Sequence, residues 1–480
     1  MALALAACSS GPDYVRPQTP SAAAGFFVGA NSPAVQPLAP ARDDWWKLYD
    51  DPVLNGLIAD ALAHNTDVRA AVARLARARA SLREVKVDRL PQGGVNASAT
   101  RGRDTGVSNV TTSFDTGLDI AYEVDLFGRV NRRVEAARGD IGAAAADADA
   151  VRIAIVADTA RAYADASSAA ERLSVAEHIV QLLDESLRIT QKQVEIGATT
   201  RLDTARIATL LNQREAEIPS IFAERDSALF RLATLTGRAP ADLPSAAGAR
   251  KSSLKLEQAI PVGDGATLLA RRPDVHAAER RLAAATARIG VATAELYPRI
   301  TLGGSAGSSA SSLGNLFANP IGFLLGPLIS WSFSDHARAR ARVGEAEAGA
   351  QEALAQFDGT VLKALEETET ALSAYSNALR RREALKAARS EAEVAVRIVR
   401  AQQREGQVDS LALLDAERTF AEAEAQVADI NGEVADAQID LFRALGGTWH
   451  RPGPAPQPAE GRRLSGVSKD VRLRLGGQSR

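Results

Sequence analysis

The chain repeats itself. The segment NTDVRAAVARLARARASLREVKVDRLPQ (65 to 92) lines up with RPDVHAAERRLAAATARIGVATAELYPR (272 to 299), setting Asp67 on Asp274, Val68 on Val275, Leu75 on Leu282 and Pro91 on Pro298. Further along, GLDIAYEVDLFGR (117 to 129) matches GPLISWSFSDHAR (326 to 338), GATTRLDTAR (197 to 206) matches GQVDSLALLD (406 to 415), and Gly237 falls on Gly446. The offset is nearly constant, so the chain holds two copies of one unit, 59–240 and 266–447. That period is far too long for a solenoid. One fold must therefore satisfy both copies.

Each copy shows the same order of patterns. A helix (52 to 90, and 273 to 297) leads into a Gly/Ser/Thr-rich stretch with alternating apolar residues, and then into one long helical region. Leu118, Ile120, Tyr122 and Val124 alternate with Asp119, Ala121, Glu123 and Asp125; Ile329, Trp331 and Phe333 alternate with Ser330, Ser332 and Ser334. A period of two means strand. The register agrees between copies, so one face is apolar with aromatics and the other polar. Two hairpins are predicted, 93–104 with 112–126 and 299–308 with 322–334, hence four strands. Taken alone, such a face fits the core side of a soluble sheet better, but strands of about ten residues with an apolar face, a small polar face and interfacial aromatics also describe an outer-membrane barrel. Four strands cannot close, because the smallest barrels need about eight and an open edge in lipid leaves backbone groups unsatisfied. A membrane reading requires several copies to share one barrel.

From 129 to 196 and from 338 to 405 there is no proline, and the second stretch carries Leu354, Phe357, Val361, Leu365, Leu372, Tyr375 and Leu379 at three- and four-residue steps. This is a coiled-coil-like stripe. Helices of this length reach about 100 Å and must pack laterally, which the abundant alanines allow. Each turns back at a glycine, Gly197 before Thr199 and Thr200, and Gly406 before Asp409 and Ser410, where glycine suits a C-cap and Thr or Asp an N-cap. The return helices run to Gly237 and Gly446.

Composition narrows the function. A net charge of −2 argues against a nucleic-acid partner. One cysteine excludes an internal disulfide, and five dispersed histidines give no metal-ligand spacing, so neither a metal nor another cofactor is expected. No nucleophile, base and orienter assemble into a catalytic set, and an enzyme is not expected. No apolar run is long enough for a transmembrane helix. The single cysteine, Cys8, sits in LALAACSSG; Leu5-Ala6-Ala7-Cys8 resembles a bacterial lipobox, with residues 1–8 as the remnant of a signal peptide. A free thiol in a terminal segment is the competing reading.

Several stretches together carry a family resemblance: CSSGPDYVRP (8 to 17), DDWWKLYDDPVLNGLIADALAHNTDVRAA (43 to 71), YEVDLFGRV (122 to 130), RRPDVHAAERRLAAATARIGVATAELYPRITLGG (271 to 304), WSFSDHARARA (331 to 341) and EGQVDSLALLDAER (405 to 418). They resemble the outer-membrane channel proteins of tripartite efflux systems, the TolC and OprM type, and within them the NodT-like lipoprotein branch. The resemblance implies a mainly α fold with membrane β: a homotrimer sharing a 12-stranded β-barrel, four strands per chain, continued by a long α-helical barrel in the periplasm. An equatorial belt would be built from segments 9–58 and 241–265. It also implies a passive exit duct for an inner-membrane transporter acting through a periplasmic adaptor. Cys8 would be acylated, and Ser9 after it favours sorting to the outer membrane. Leu118, Ile120, Tyr122, Val124, Ile329, Trp331 and Phe333 would face outer-membrane lipid.

The family's tip motif places Asp415 at a constricting position, with Asp203 and Asp409 as nearby candidates for the periplasmic gate. Ala412 stands where a second carboxylate can occur. N-capping by Asp409 and a first-turn dipole role for Asp203 compete with the gate reading. Gly197, Thr199, Thr200, Gly406, Val408 and Ser410 are the candidates for adaptor contact, with capping as their alternative duty. The duct of a type I protein secretion system shares this architecture, and a lipid-anchored periplasmic scaffold is the alternative of another class. Residues 12–41 read as an extended linker, and 448–480 as a disordered tail.

Overall fold

The computed structural model describes residues 10–18, 35–36, 43–103, 110–256, 258–316, 318–331 and 335–447. Cys8, Phe333 and the tail from 448 lie outside the described residues. In chain order the elements are β1 (Val35–Gln36), α1 (Pro52–His64), α2 (Thr66–Val87), β2 (Gln92–Gly102), β3 (Thr111–Val124), α3 (Arg129–Glu195) and α4 (Arg201–Leu235). Then follow β4 (Ile260–Pro261), α5 (Gly265–Arg271), α6 (Pro273–Ala294), β5 (Arg299–Ala310), β6 (Gly322–Ser330), α7 (His336–Arg404) and α8 (Ser410–Ala444). The long helices α3 and α7 have 67 and 69 residues, and the return helices α4 and α8 have 35 each.

Two boundaries differ from the sequence reading for local reasons. The helix expected over 52–90 is two helices, because the Asn65 side chain accepts from the backbone N–H of Asp67 (2.8 Å) and Val68 (3.2 Å) and so caps a new start. The same side chain donates to the Leu235 carbonyl at 2.9 Å, tying this break to the end of α4. The final strand stops at Ser330 rather than 334, so Trp331 follows the strand instead of lying in it. Beyond the four expected strands, β1 pairs in parallel with β4. Two residues per strand are too few for a period to register.

The large core lies where the long helices pass the segments that join the copies. Trp45 stacks on Phe442 at 4.8 Å between centroids, and Tyr163, Leu232, Ile260, Leu372 and Ile439 are buried around them. Of the α7 stripe, Phe357, Val361, Leu372 and Tyr375 are buried as expected, whereas Leu354 remains exposed. Burying each such side chain contributes roughly 1.5–3 kcal/mol, so the belt of core is where the long helices are fixed.

Candidate functional site: an apolar sheet and two helical tips

The four long strands form one antiparallel sheet in the order β2-β3-β5-β6. Directly opposed residues in antiparallel strands share a face. The register sets Val95 on Leu118, Leu118 on Ala306, and Ala306 on Phe323; Tyr122 on Leu302 and Leu302 on Pro327; Val124 on Ile300 and Ile300 on Ile329. Leu118, Ile120, Tyr122, Val124 and Ile329 therefore lie on one largely apolar face that crosses all four strands, shared with Thr116 and Ser308 and, away from the helices, with Arg101 and Thr112. The opposite face carries Asn96, Ser98, Asp115, Asp119, Thr301 and Ser305. Ile120 is 45% exposed and Ile329 65%, with no helix among the described residues laid over either. Leu324 and Leu328 of β6 break the pattern: register puts them on the polar side, opposite Ser305 and Thr301.

At the helical end of the sheet, Phe127 and Tyr297 stack at 4.6 Å, and Trp331 lies nearby on the rim of the same cleft. Such aromatics suit the boundary between lipid and water. The start of the segment expected to be an extended linker, 12–41, is fastened here together with Ser10 and Gly11 before it. Ser10 N–H donates to the Phe127 carbonyl (3.1 Å), the buried Arg132 donates to the carbonyls of Ser10 and Gly11 and to the Asp13 carboxylate (2.7 Å), and Tyr14 donates to the buried Glu279 (3.2 Å). Burial and the Glu279 carboxylate push the Tyr14 hydroxyl up to about 12. Gly11, at φ +79°, fits against Gly290, where a Cβ would come within 2.6 Å of the Gly290 Cα.

At the far end, both long helices stop in the same way. Gly197 and Gly406 adopt φ of +73° and +71°, and the amides of Ala198 and Gln407 return to the carbonyls of Gln193 (2.8 Å) and Gln402 (2.9 Å). This is a Schellman ending, which the left-handed glycine permits. Nothing lies within 4 Å of a Cβ built on either residue. Asp203 accepts from the Thr200 amide and from the hydroxyls of Thr199 and Thr200 (both 2.8 Å), and these hydrogen bonds hold its carboxyl below the usual carboxylate range. Asp409 caps α8 by accepting from the Ala412 amide at 2.9 Å. Asp415 makes no cap; its exposed carboxylate pairs with Arg418 at 2.9 Å. Val408 and Ser410 flank the second turn.

The two turns stand side by side. Leu414 packs on Leu183 and Leu210, and the buried Glu417 of α8 accepts from Ser186 of α3 (3.0 Å) and pairs with Arg400 (3.0 Å). Missed by the sequence reading are two pairs of exposed apolar residues at matching positions of the tips, Ile189 with Ile398 and Leu202 with Leu411. Their signal was available as apolar residues off the buried stripe.

Among the described residues no helix is long and apolar enough to cross a membrane. An open sheet with one largely apolar face, ending in long helical hairpins, defines a chain that supplies part of a membrane barrel and part of a helical duct. The sequence profile described as "Outer membrane efflux protein" matches residues 57–238 and 266–447. The chain is 35% identical over 463 residues to outer membrane protein OprJ of Pseudomonas aeruginosa, covering 94% of this chain and 95% of that one. It is 29% identical to Nodulation protein T of Rhizobium leguminosarum bv. viciae, covering 98% and 96%. Among solved structures, the outer-membrane channel OprN superposes with a TM-score of 0.87 at 36% identity, over 92% of this chain and all of that one. The chain belongs to the outer membrane efflux protein family, as an outer-membrane component of an efflux system.

Proposed function

We propose that three copies stand side by side, β6 of one against β2 of the next, closing their twelve strands into a barrel across the outer membrane while the long helices continue as a periplasmic duct. The observation that carries this reading is the four-stranded sheet, with its apolar face exposed and both edges unpaired among the described residues. Alone in lipid, each unsatisfied edge group costs several kcal/mol, and only closure removes edges. Small solutes delivered by an inner-membrane transporter and a periplasmic adaptor leave by passive conduction.

Acylation of Cys8 fits the fastening of Ser10. Ser10, two residues after Cys8, is held to Phe127 where the sheet gives way to helix, the end of the molecule that an outer-membrane anchor would serve. The hairpin turns form the gate. In a threefold assembly each carboxylate becomes a ring, and such rings favour cations; Asp415 is the candidate whose carboxylate is not used in capping, while Asp203 and Asp409 also serve their turns. Gly197, Thr199, Thr200, Gly406, Val408 and Ser410 receive the adaptor.

Single-channel recording in a planar bilayer tests the reading. Discrete conductance steps from heat-resistant trimers are expected; a monomer without conductance overturns it.

A further inference from the structure

The helices below the sheet follow the order of the strands above. α2 packs on α3, α3 on α6, and α6 on α7, beneath β2, β3, β5 and β6. The outer faces of α2 and α7 are thus the two open ends of one row. They differ sharply in charge. α2 carries Arg69, Arg74, Arg77, Arg79, Arg83 and Lys86 against Asp67 and Glu84, all exposed, and none of the six cations takes part in an ion pair among the described residues. On α7, residues 345–366 carry Glu345, Glu347, Glu352, Asp358 and Glu366 against Lys363 alone, again exposed and without ion pairs among the described residues.

The internal duplication supplies a template for how these ends meet. Where α3 passes α6, a Cβ on Gly142 would lie 3.4 Å from the Arg280 Cβ, and one on Gly139 would lie 2.9 Å from the Ala284 Cβ. By the alignment that sets Asp67 on Asp274 and Gly197 on Gly406, these positions become Gln351 and Ala73, and Ala348 and Arg77. Leu354 fits the same template. It is 40% exposed on α7, whereas Ala145, its counterpart on α3, is buried.

We propose that the basic face of α2 is a docking surface for the acidic face of α7 on a second copy of this chain, with Arg74 and Arg77 against Glu352 and Arg83 against Glu345, so that charge sets the direction of assembly. The proposal rests on the shared-barrel reading and adds to it the chemistry of the seam. Within one chain the matching seam already sets arginine stems over glycine, Arg280 over Gly142 and Arg132 over Gly290, and among the described residues it carries the ion pairs Arg281 to Asp147 (2.6 Å) and Arg288 to Asp140 (2.7 Å). Between chains, long arginine stems lie over Ala341, Gly344 and Ala348, and their heads reach carboxylates one turn away. Two basic faces or two acidic faces repel, which leaves only head-to-tail contact, the arrangement that closes a ring.

The test uses the full chain in outer-membrane vesicles. Ala73→Cys with Gln351→Cys should give disulfide-linked trimers on a non-reducing gel, with neither single variant cross-linking, since opposed Cβ atoms at this spacing suit a disulfide. Glu352→Arg should lower trimer yield at least tenfold, and adding Arg74→Glu and Arg77→Glu should restore it. Normal trimers of the double-cysteine variant without cross-links, or a Glu352→Arg variant with undiminished yield, would overturn the docking while leaving the trimer intact. Absence of trimers from the unsubstituted chain would overturn both.

Discussion

The two long helices come from equivalent stretches of a duplicated sequence, yet their surroundings are unlike. α3 is wrapped: α1, α2, α4, α6 and α8 all pack on it, and most of its first half is buried or half-buried. α7 has α6 and α8, with a small contact from α5, and from His336 to Gln356 only Ala339 and Ala353 are buried. Identical folding with unequal burial means that α7 lacks its neighbour in a single chain. α3 shows what that neighbour does.

The sharpest way to break the comparison is at Asn65 and Arg272, which occupy matching positions. Each donates to the end of a return helix, Asn65 to the Leu235 carbonyl and Arg272 to the Ala444 carbonyl at 3.0 Å. Arg272 is also buried and pairs with Asp274 (2.6 Å) and Glu367 (2.7 Å). The two carboxylates are 39% and 42% exposed, so losing these charge-assisted hydrogen bonds costs about 1.5–3 kcal/mol, and Arg272→Met should give the largest loss of thermal stability. Asn65→Ala loses a cap and one hydrogen bond and should cost roughly 1–2 kcal/mol. Equal losses would mean that the two copies are braced alike.

Gly406→Ala probes the turn that both tips share. A residue with a Cβ at positive φ costs about 1–2 kcal/mol, and the open space around it adds no clash. Trimer yield should be normal; efflux lost with trimers intact indicates adaptor docking, and loss of trimers indicates a folding role alone.

Asp436 separates the copies by pH, since Ser227 stands at the matching position. Burial first, and then the Asp165 carboxylate, push its pKa up to about 7 against the partial relief of Arg161. One of its oxygens is buried without a hydrogen-bond partner among the described residues. Between about pH 4 and 7 the folded protein holds a proton that the unfolded chain has released, so stability falls as pH rises, by at most about 1.4 kcal/mol per unit, and is level above. Asp436→Asn should remove that slope and raise the melting temperature at neutral pH.

The smallest effect on stability is expected at Asp415, whose counterpart in the first copy is Arg206. Asp415→Asn should stay within about 0.5 kcal/mol of the parent, as exposed i,i+3 pairs contribute little, while reducing cation preference in single-channel recordings.

Most of the fold was legible because duplication stated it twice: the strand alternation, the proline-free helices and the glycine turns each recur at matching positions. What escaped depends on contacts distant in sequence. The break at Asn65 leaves the helical pattern intact and is forced by a cap that also binds Leu235. The two-residue pairing of β1 with β4 and the fastening of residues 10–14 by Arg132 and Glu279 have no periodic signature. At the tips, the caps were readable from residue type, but the difference between an Asp held by its turn and one that makes no cap and pairs with Arg418 instead, Asp203 against Asp415, emerged only from the hydrogen bonds.

The central claim is that one chain is a third of a closed wall. Native mass spectrometry of the full-length protein released from outer membranes in mild detergent tests it most directly. A single species of three chains is the expected result; a stable monomer that keeps its sheet in detergent, or any other stoichiometry, would contradict it.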